Sequence, residues 1–147
     1  MILAIGSDHA GYEGDSDQFK PAIMEHLRGL GYTLIDCGTN GPDSVDYPDV
    51  ADAVCREIAS GRAEKGVLIC GTGIGMSIAA NRHPRIRAAA CTTAFLTQLS
   101  REHNDTNILC LGKRVLSLTE ALELLDLWLT TPFDGGERHC RRIQKIG

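Results

Sequence analysis

Short apolar runs alternate with helix-period segments along the whole chain, and this rhythm restricts the fold more than any other feature. The runs are Ile2–Ile5, Thr33–Cys37, Gly66–Cys70, Ile86–Cys91 and Ile108–Leu111. Each is too short for a helix and lacks polar alternation, so each predicts a strand buried on both faces. Between them Phe19, Ile23, Leu27 and Leu30 recur at helical spacing, as do Val50, Val54 and Ile58. Pro21 and Pro48 stand where these helices begin, and Gly31 and Gly61 where they should stop. Further helices are expected over Gly75–Asn81, Thr93–His103 and Thr119–Thr130, and a last one from near Glu137. No linker, repeat or low-complexity segment interrupts the pattern. It predicts one α/β domain over residues 1–147, with a parallel sheet of five strands covered by helices on both faces.

Composition excludes some function classes. A net charge of −4 argues against a dedicated binder of nucleic acid or anionic membrane. No apolar run approaches the ~20 residues that span a bilayer, and the opening MILAIGSDHAGYEG has no basic leader, so no signal peptide is expected. The six cysteines stand singly without a CxxC pair, which predicts reduced thiols and a cytoplasmic protein.

In parallel α/β sheets, ligands bind beyond the carboxyl ends of the strands. A site is therefore expected in the segments just after the apolar runs. The candidates are Ser7–Gly11, Gly38–Tyr47, the loop Gly71-Thr72-Gly73-Ile74-Gly75, Thr92–Thr93 and Gly112-Lys113-Arg114. In ICGTGIGMS, alternate glycines leave N–H groups free ahead of a helix, an arrangement that cradles an anion or merely turns the chain. A dinucleotide fingerprint would need a third glycine where Met76 stands, and a Walker loop would need Gly-Lys-Ser/Thr. Cys70 immediately precedes this loop. A thiol there is placed to serve as base or nucleophile, whereas Cys91 and Cys110 have the setting of ordinary core thiols.

The remaining candidates are ambiguous taken singly. Asp8-His9 could hold a hydroxyl or phosphate, or simply cap a loop. Asp46-Tyr47-Pro48 also fits a capped helix start, and His103-Asn104 a helix end. Arg138 and Arg142 share a helical face four residues apart, as suits phosphate recognition or a solvated tail. Arg141 and Lys145 fit the solvated role. No HExxH or other metal-ligand spacing occurs, the five histidines are far apart, and no GxSxG elbow exists.

Taken together, SDHAGY, VDYPDVA, GVLICGTGIGMSIAANR, IRAAACT, SREHNDTNIL, LGKRV and GGERHCRRIQKI resemble the ribose-5-phosphate isomerase B family, which also includes galactose-6-phosphate isomerase subunits. The resemblance runs over nearly the whole chain. It implies a Rossmann-like three-layer domain and a homodimer that could pair further into a tetramer. It also implies sites at the subunit interface, and neither metal nor cofactor. Cys70 would be the base moving a proton between C1 and C2. Thr72 and the N–H groups around Gly71, Gly73, Ile74 and Gly75 would stabilise the enediolate. His103 with Asp8 would open the sugar ring, Tyr47 and Asn104 would contact hydroxyls, and His9, Arg114, Arg138 and Arg142 would hold phosphate. Some family members use a glutamate in the loop instead of the cysteine; Met76 excludes that variant here.

The implied reaction converts D-ribose 5-phosphate to D-ribulose 5-phosphate, a step of the pentose phosphate pathway. The alternatives are the same chemistry on allose or galactose 6-phosphate, and a non-catalytic phosphosugar-binding module. Such a module would need neither Cys70 nor His103. Two further expectations concern shape. The segment EGDSDQ, Glu13 to Gln18, is longer than the family pattern and leaves the site edge beside Asp8 and His9. In Thr119–Thr130 only Glu120, Glu123 and Asp126 form a polar stripe, so the wide apolar remainder predicts a second buried contact. The resemblance makes that contact a twofold interface, across which His103 and the C-terminal arginines approach Cys70.

Overall fold

A computed structural model describes residues 1–147. Five parallel strands, β1 (Ile2–Ser7), β2 (Thr33–Asp36), β3 (Lys65–Cys70), β4 (Ala88–Ala90) and β5 (Ile108–Gly112), form one sheet in the order β2-β1-β3-β5-β4. The helices are α1 (Phe19–Gly29), α2 (Tyr47–Ala59), α3 (Ile74–Ala80), α4 (Ala94–Glu102), α5 (Leu118–Thr130) and α6 (Glu137–Ile146). Every predicted element is present, with ends shifted by a few residues. A 3-10 helix, His9–Tyr12, adds an element that the apolar pattern did not contain.

Strand alternation divides the core between two layers. Leu3, Ile5, Val67, Ile69, Leu109 and Leu111 face α1 and α5. Ala4, Leu68, Cys70, Ile108 and Cys110 face α2 and α3. Because both faces are covered, β1, β3 and β5 read as continuous apolar runs. The outer strands β2 and β4 are only half-buried, a correction to the expectation of full burial, because an edge strand has one unpaired side. Gly31 and Gly61 take φ of +87° and +75°, the left-handed conformation that ends α1 and α2. Asp46 stands at the N-cap of α2 but makes no side-chain capping bond, so the expected Asp cap is absent.

The other correction concerns α5. Its Leu124, Leu125, Trp128 and Leu129 are buried within the chain, because α1, α4 and β5 all pack on it. Most of the wide apolar surface is therefore covered internally, with Leu122 and Leu127 left half-buried. Exposed large apolar side chains elsewhere include Tyr47 on α2, Ile74 and Ile78 on α3, Phe95 and Leu96 at the start of α4, and Val115 after β5.

Candidate active site

The chain leaves β1 to build β2 on one side and later returns to build β3 on the other. The carboxyl ends of β1 and β3 therefore flank the point where such sheets hold ligands. Asp8 lies there, its N–H donating to Ile69 O at 3.0 Å, its carboxylate accepting the Ala10 N–H at 2.8 Å. His9 Nδ1 accepts the Val45 N–H at 3.4 Å, which leaves Nε2–H free to donate outward.

Cys70 ends β3 beside them. Its Sγ accepts the Gly73 N–H at 3.1 Å. The polarity of that bond separates it from Cys37, Cys55 and Cys140, which point S–H at the carbonyls of Ile35, Ala80 and Gly135. Burial pushes Cys37 up to about 11 and Cys55 up to about 12, and it also raises Cys91 and Cys110. Cys70 instead has a backbone N–H donor on its sulfur.

The glycine loop needs its glycines. Gly73 has φ +80°, and a Cβ there would lie 3.2 Å from Cys110 O. A Cβ on Gly75 would meet the Tyr47 ring at 2.8 Å, and one on Gly71 would meet Arg114 Nη1 at 3.1 Å. Tyr47 and Arg114 thus close on the loop from either side. Thr72 is exposed, and its Oγ1 accepts the Ile74 N–H at 3.3 Å. One edge of the sheet therefore brings together Asp8, His9, Tyr47, Cys70, Thr72, the loop through Gly75, and Arg114.

The remaining predicted residues are at the opposite edge. His103 caps the end of α4, which runs back toward the amino ends of the strands, and Asn104 shortly precedes β5. The residue before β5, Asn107, accepts from Gly66 at the start of β3. Arg138 and Arg142 are exposed on α6 without an ion-pair partner. This helix is tied to His103: the rings of His103 and His139 stack at 4.3 Å, 11° from parallel, and the Asp134 N–H donates to Glu102 O. Along β3, five residue steps at about 3.3 Å put these two edges about 16 Å apart. A single chain does not bring His103, Asn104, Arg138 or Arg142 to Cys70.

Two features escaped sequence reasoning. Lys20, fully buried in α1, donates to Asp36 Oδ1 at 2.6 Å, Thr39 O at 2.6 Å and Asn40 Oδ1 at 2.9 Å, and so fixes the loop after β2 beside the site. Its signal was a lysine on the buried stripe with Phe19, Ile23 and Leu27. Sequence spacing also gave no metal cluster, yet the fold gathers donor atoms of His103, Asp134 and His139 within 4.8 Å. The near-parallel rings keep their in-plane lone pairs from converging on one ion, so the arrangement is that of packed imidazoles. Burial, with His103 alongside, holds the His139 imidazole below its ordinary value.

Comparison with known proteins gives a consistent picture. The model of the ribose/galactose isomerase family matches residues 3–146. Ribose-5-phosphate isomerase B of Escherichia coli is 43% identical, over 98% of this chain and 93% of that protein. A solved structure of ribose-5-phosphate isomerase B from Clostridium thermocellum superposes with a TM-score of 0.94 at 50% identity, covering 100% of this chain and 95% of that one. The corresponding Thermotoga maritima structure gives 0.92 at 48% identity, covering 99% and 96%.

Proposed function

The chain belongs to the ribose/galactose isomerase family and is an isomerase, and on that premise we propose that it interconverts D-ribose 5-phosphate and D-ribulose 5-phosphate through an enediolate. The observation that carries the chemistry is the Gly73 N–H directed at Cys70 Sγ, which gives the thiol at the carboxyl end of β3 a backbone donor from the glycine loop.

Cys70 removes the proton alpha to the carbonyl of the open-chain sugar and returns it to the neighbouring carbon. As that proton leaves, negative charge grows on the carbonyl oxygen. The Thr72 hydroxyl and the loop N–H groups not already bonded within the loop, those of Gly71, Thr72 and Gly75, receive it. The cyclic sugar has no carbonyl, so ring opening comes first. That step needs an acid–base pair, here His103 and Asp8. Tyr47, held over Gly75, and Asn104 contact sugar hydroxyls, while His9, Arg114, Arg138 and Arg142 hold the phosphate away from the reacting carbons.

These residues meet only if a second copy supplies its His103 edge to the Cys70 edge of the first. A homodimer with two composite sites follows from that requirement. It is supported by the exposed apolar side chains Tyr47, Ile74 and Val115 at the Cys70 edge, and Phe95 and Leu96 on α4 after β4, which suit burial against a partner. The six free thiols fit a reducing compartment such as the cytoplasm. No helix is long and apolar enough to cross a membrane.

The test is a panel of aldose phosphates, including ribose 5-phosphate and allose and galactose 6-phosphates. Each is assayed for ketose formation with purified protein, with and without EDTA and with no added cofactor. Ribose 5-phosphate is expected to give the highest kcat/KM, unaffected by EDTA. A higher value for a six-carbon phosphate, or activity lost to chelation, would refute the assignment.

A further inference from the structure

The segment Glu13 to Gln18 lays two carboxylates on the two cations that follow β5. Glu13 grips the Arg114 guanidinium with both oxygens, Oε2 accepting from Nε at 3.1 Å and Oε1 from Nη2. Asp17 Oδ2 accepts from Lys113 Nζ at 2.7 Å. The segment is braced for these contacts. Gln18 Nε2 donates to Gly14 O at 3.0 Å, Gly14 adopts φ +91° where a side chain would run into Asp17, and buried Phe19 anchors the far end.

The position of this pair matters more than its existence. The Arg114 guanidinium lies over Gly71, the residue after Cys70. The hydrogen bond from Arg114 holds the Glu13 carboxyl below the usual carboxylate range, and the charges of Arg114 and Lys113 add to it. The carboxylate therefore sits on the guanidinium that the proposed function assigns to the substrate's phosphate.

A carboxylate held by two prongs of a guanidinium uses the same donor fork as a phosphate monoester, and both cannot use it together. Resting on the phosphate reading above, we propose that Glu13 is a resident anion in the phosphate subsite, which an incoming phosphate displaces from Arg114. It sets the affinity of the subsite, because each phosphate bound must first free the guanidinium. A sugar without an anionic group leaves the ion pair intact. Asp17 on Lys113 holds the segment in place and does not compete at the fork.

Calorimetric titration of inorganic phosphate into the full-length protein tests this with wild type, Glu13→Gln, Arg114→Ala and the double variant. Glu13→Gln should bind phosphate about two- to fivefold more tightly, the range expected on removing an exposed ion pair. Glu13→Ala should shift in the same direction. In the Arg114→Ala background the Glu13 substitution should have no effect. Equal affinity of wild type and both Glu13 variants overturns the proposal, as does a gain of the same size without Arg114, which would reflect net charge alone. Ribose 5-phosphate isomerisation measured on the same samples separates the two readings. Unchanged phosphate affinity with isomerase activity intact removes the role of Glu13 only. Loss of both phosphate binding and activity in the wild type removes the proposed function with it.

Discussion

Mixing two inactive variants tests whether each site is built from two chains. Cys70→Ala removes the residue proposed as base at one edge of the sheet, and His103→Ala the residue proposed to open the ring at the other. Cys70 ends β3, whereas His103 precedes β5 by a short loop at the amino end. Strand geometry of about 3.3 Å per residue separates the edges by about 16 Å, farther than a histidine side chain reaches. Within one chain neither residue can rescue the other. When the two variants are unfolded together in equal amounts and refolded, random pairing makes about half of the dimers mixed, and each mixed dimer holds one intact site of two, so about a quarter of wild-type activity returns. The assay is ketose formation from ribose 5-phosphate on the refolded mixture, with mixed-dimer content measured by native mass spectrometry. Each variant refolded alone is the control and stays inactive. If mixed dimers form and activity stays at the level of the controls, the composite site is wrong.

Cys70→Ala alone should lower kcat by about 10²- to 10⁴-fold with little change in phosphate binding, and a variant keeping more than a tenth of wild-type kcat would remove Cys70 as the base. Arg142→Ala should weaken inhibition by inorganic phosphate, and Arg142→Lys should recover little of it, since an ammonium lacks the two-pronged contact; unchanged inhibition in both would return α6 to a solvated tail. Because the folded His139 pKa is depressed, the unfolded chain binds the proton more readily. The Tm advantage of wild type over His139→Asn should therefore shrink as pH falls below about 6.5, and a constant difference across that window would contradict it. Lys20→Met should destabilise by about 2–4 kcal/mol in urea denaturation, because Thr39 O, Asn40 and Asp36 lose their shared donor; a change below about 1 kcal/mol would mean that these acceptors rehydrate freely.

The parts of the fold and site that were legible in the sequence are those fixed by neighbouring residues. Cys70, the glycine loop and the start of α3 are contiguous, so an apolar run followed by ICGTGIG locates them without tertiary knowledge. The apolar runs mark all five strands but do not distinguish an edge from the centre, which is why they predict full burial for β2 and β4. In α5 the periodicity correctly shows a broad apolar surface. What it does not show is that α1 and α4 cover that surface from two sides. Ile74, Ile78, Phe95 and Leu96 lie on helices of only 7 and 9 residues, too short for an outward apolar face to stand out. The placement of His103 at the edge opposite Cys70 depends on the direction of α4 and on sheet order, properties of topology rather than of local pattern. The Glu13–Arg114 pair joins residues 101 positions apart, beyond any local signal.

The segment between Tyr12 and Phe19 lies outside the packed layers. Its central residues Gly14, Asp15, Ser16 and Asp17 are exposed, while Gly11 before it and Phe19 and Lys20 after it are buried. Insertions or deletions there leave the packed layers untouched, and doubling the length of a flexible connection adds only about 0.6 kcal/mol of closure entropy. Substitutions at Asp15, Ser16 and Asp17 therefore leave the core packing in place, and their effects on ligand affinity and on thermal stability can be measured separately.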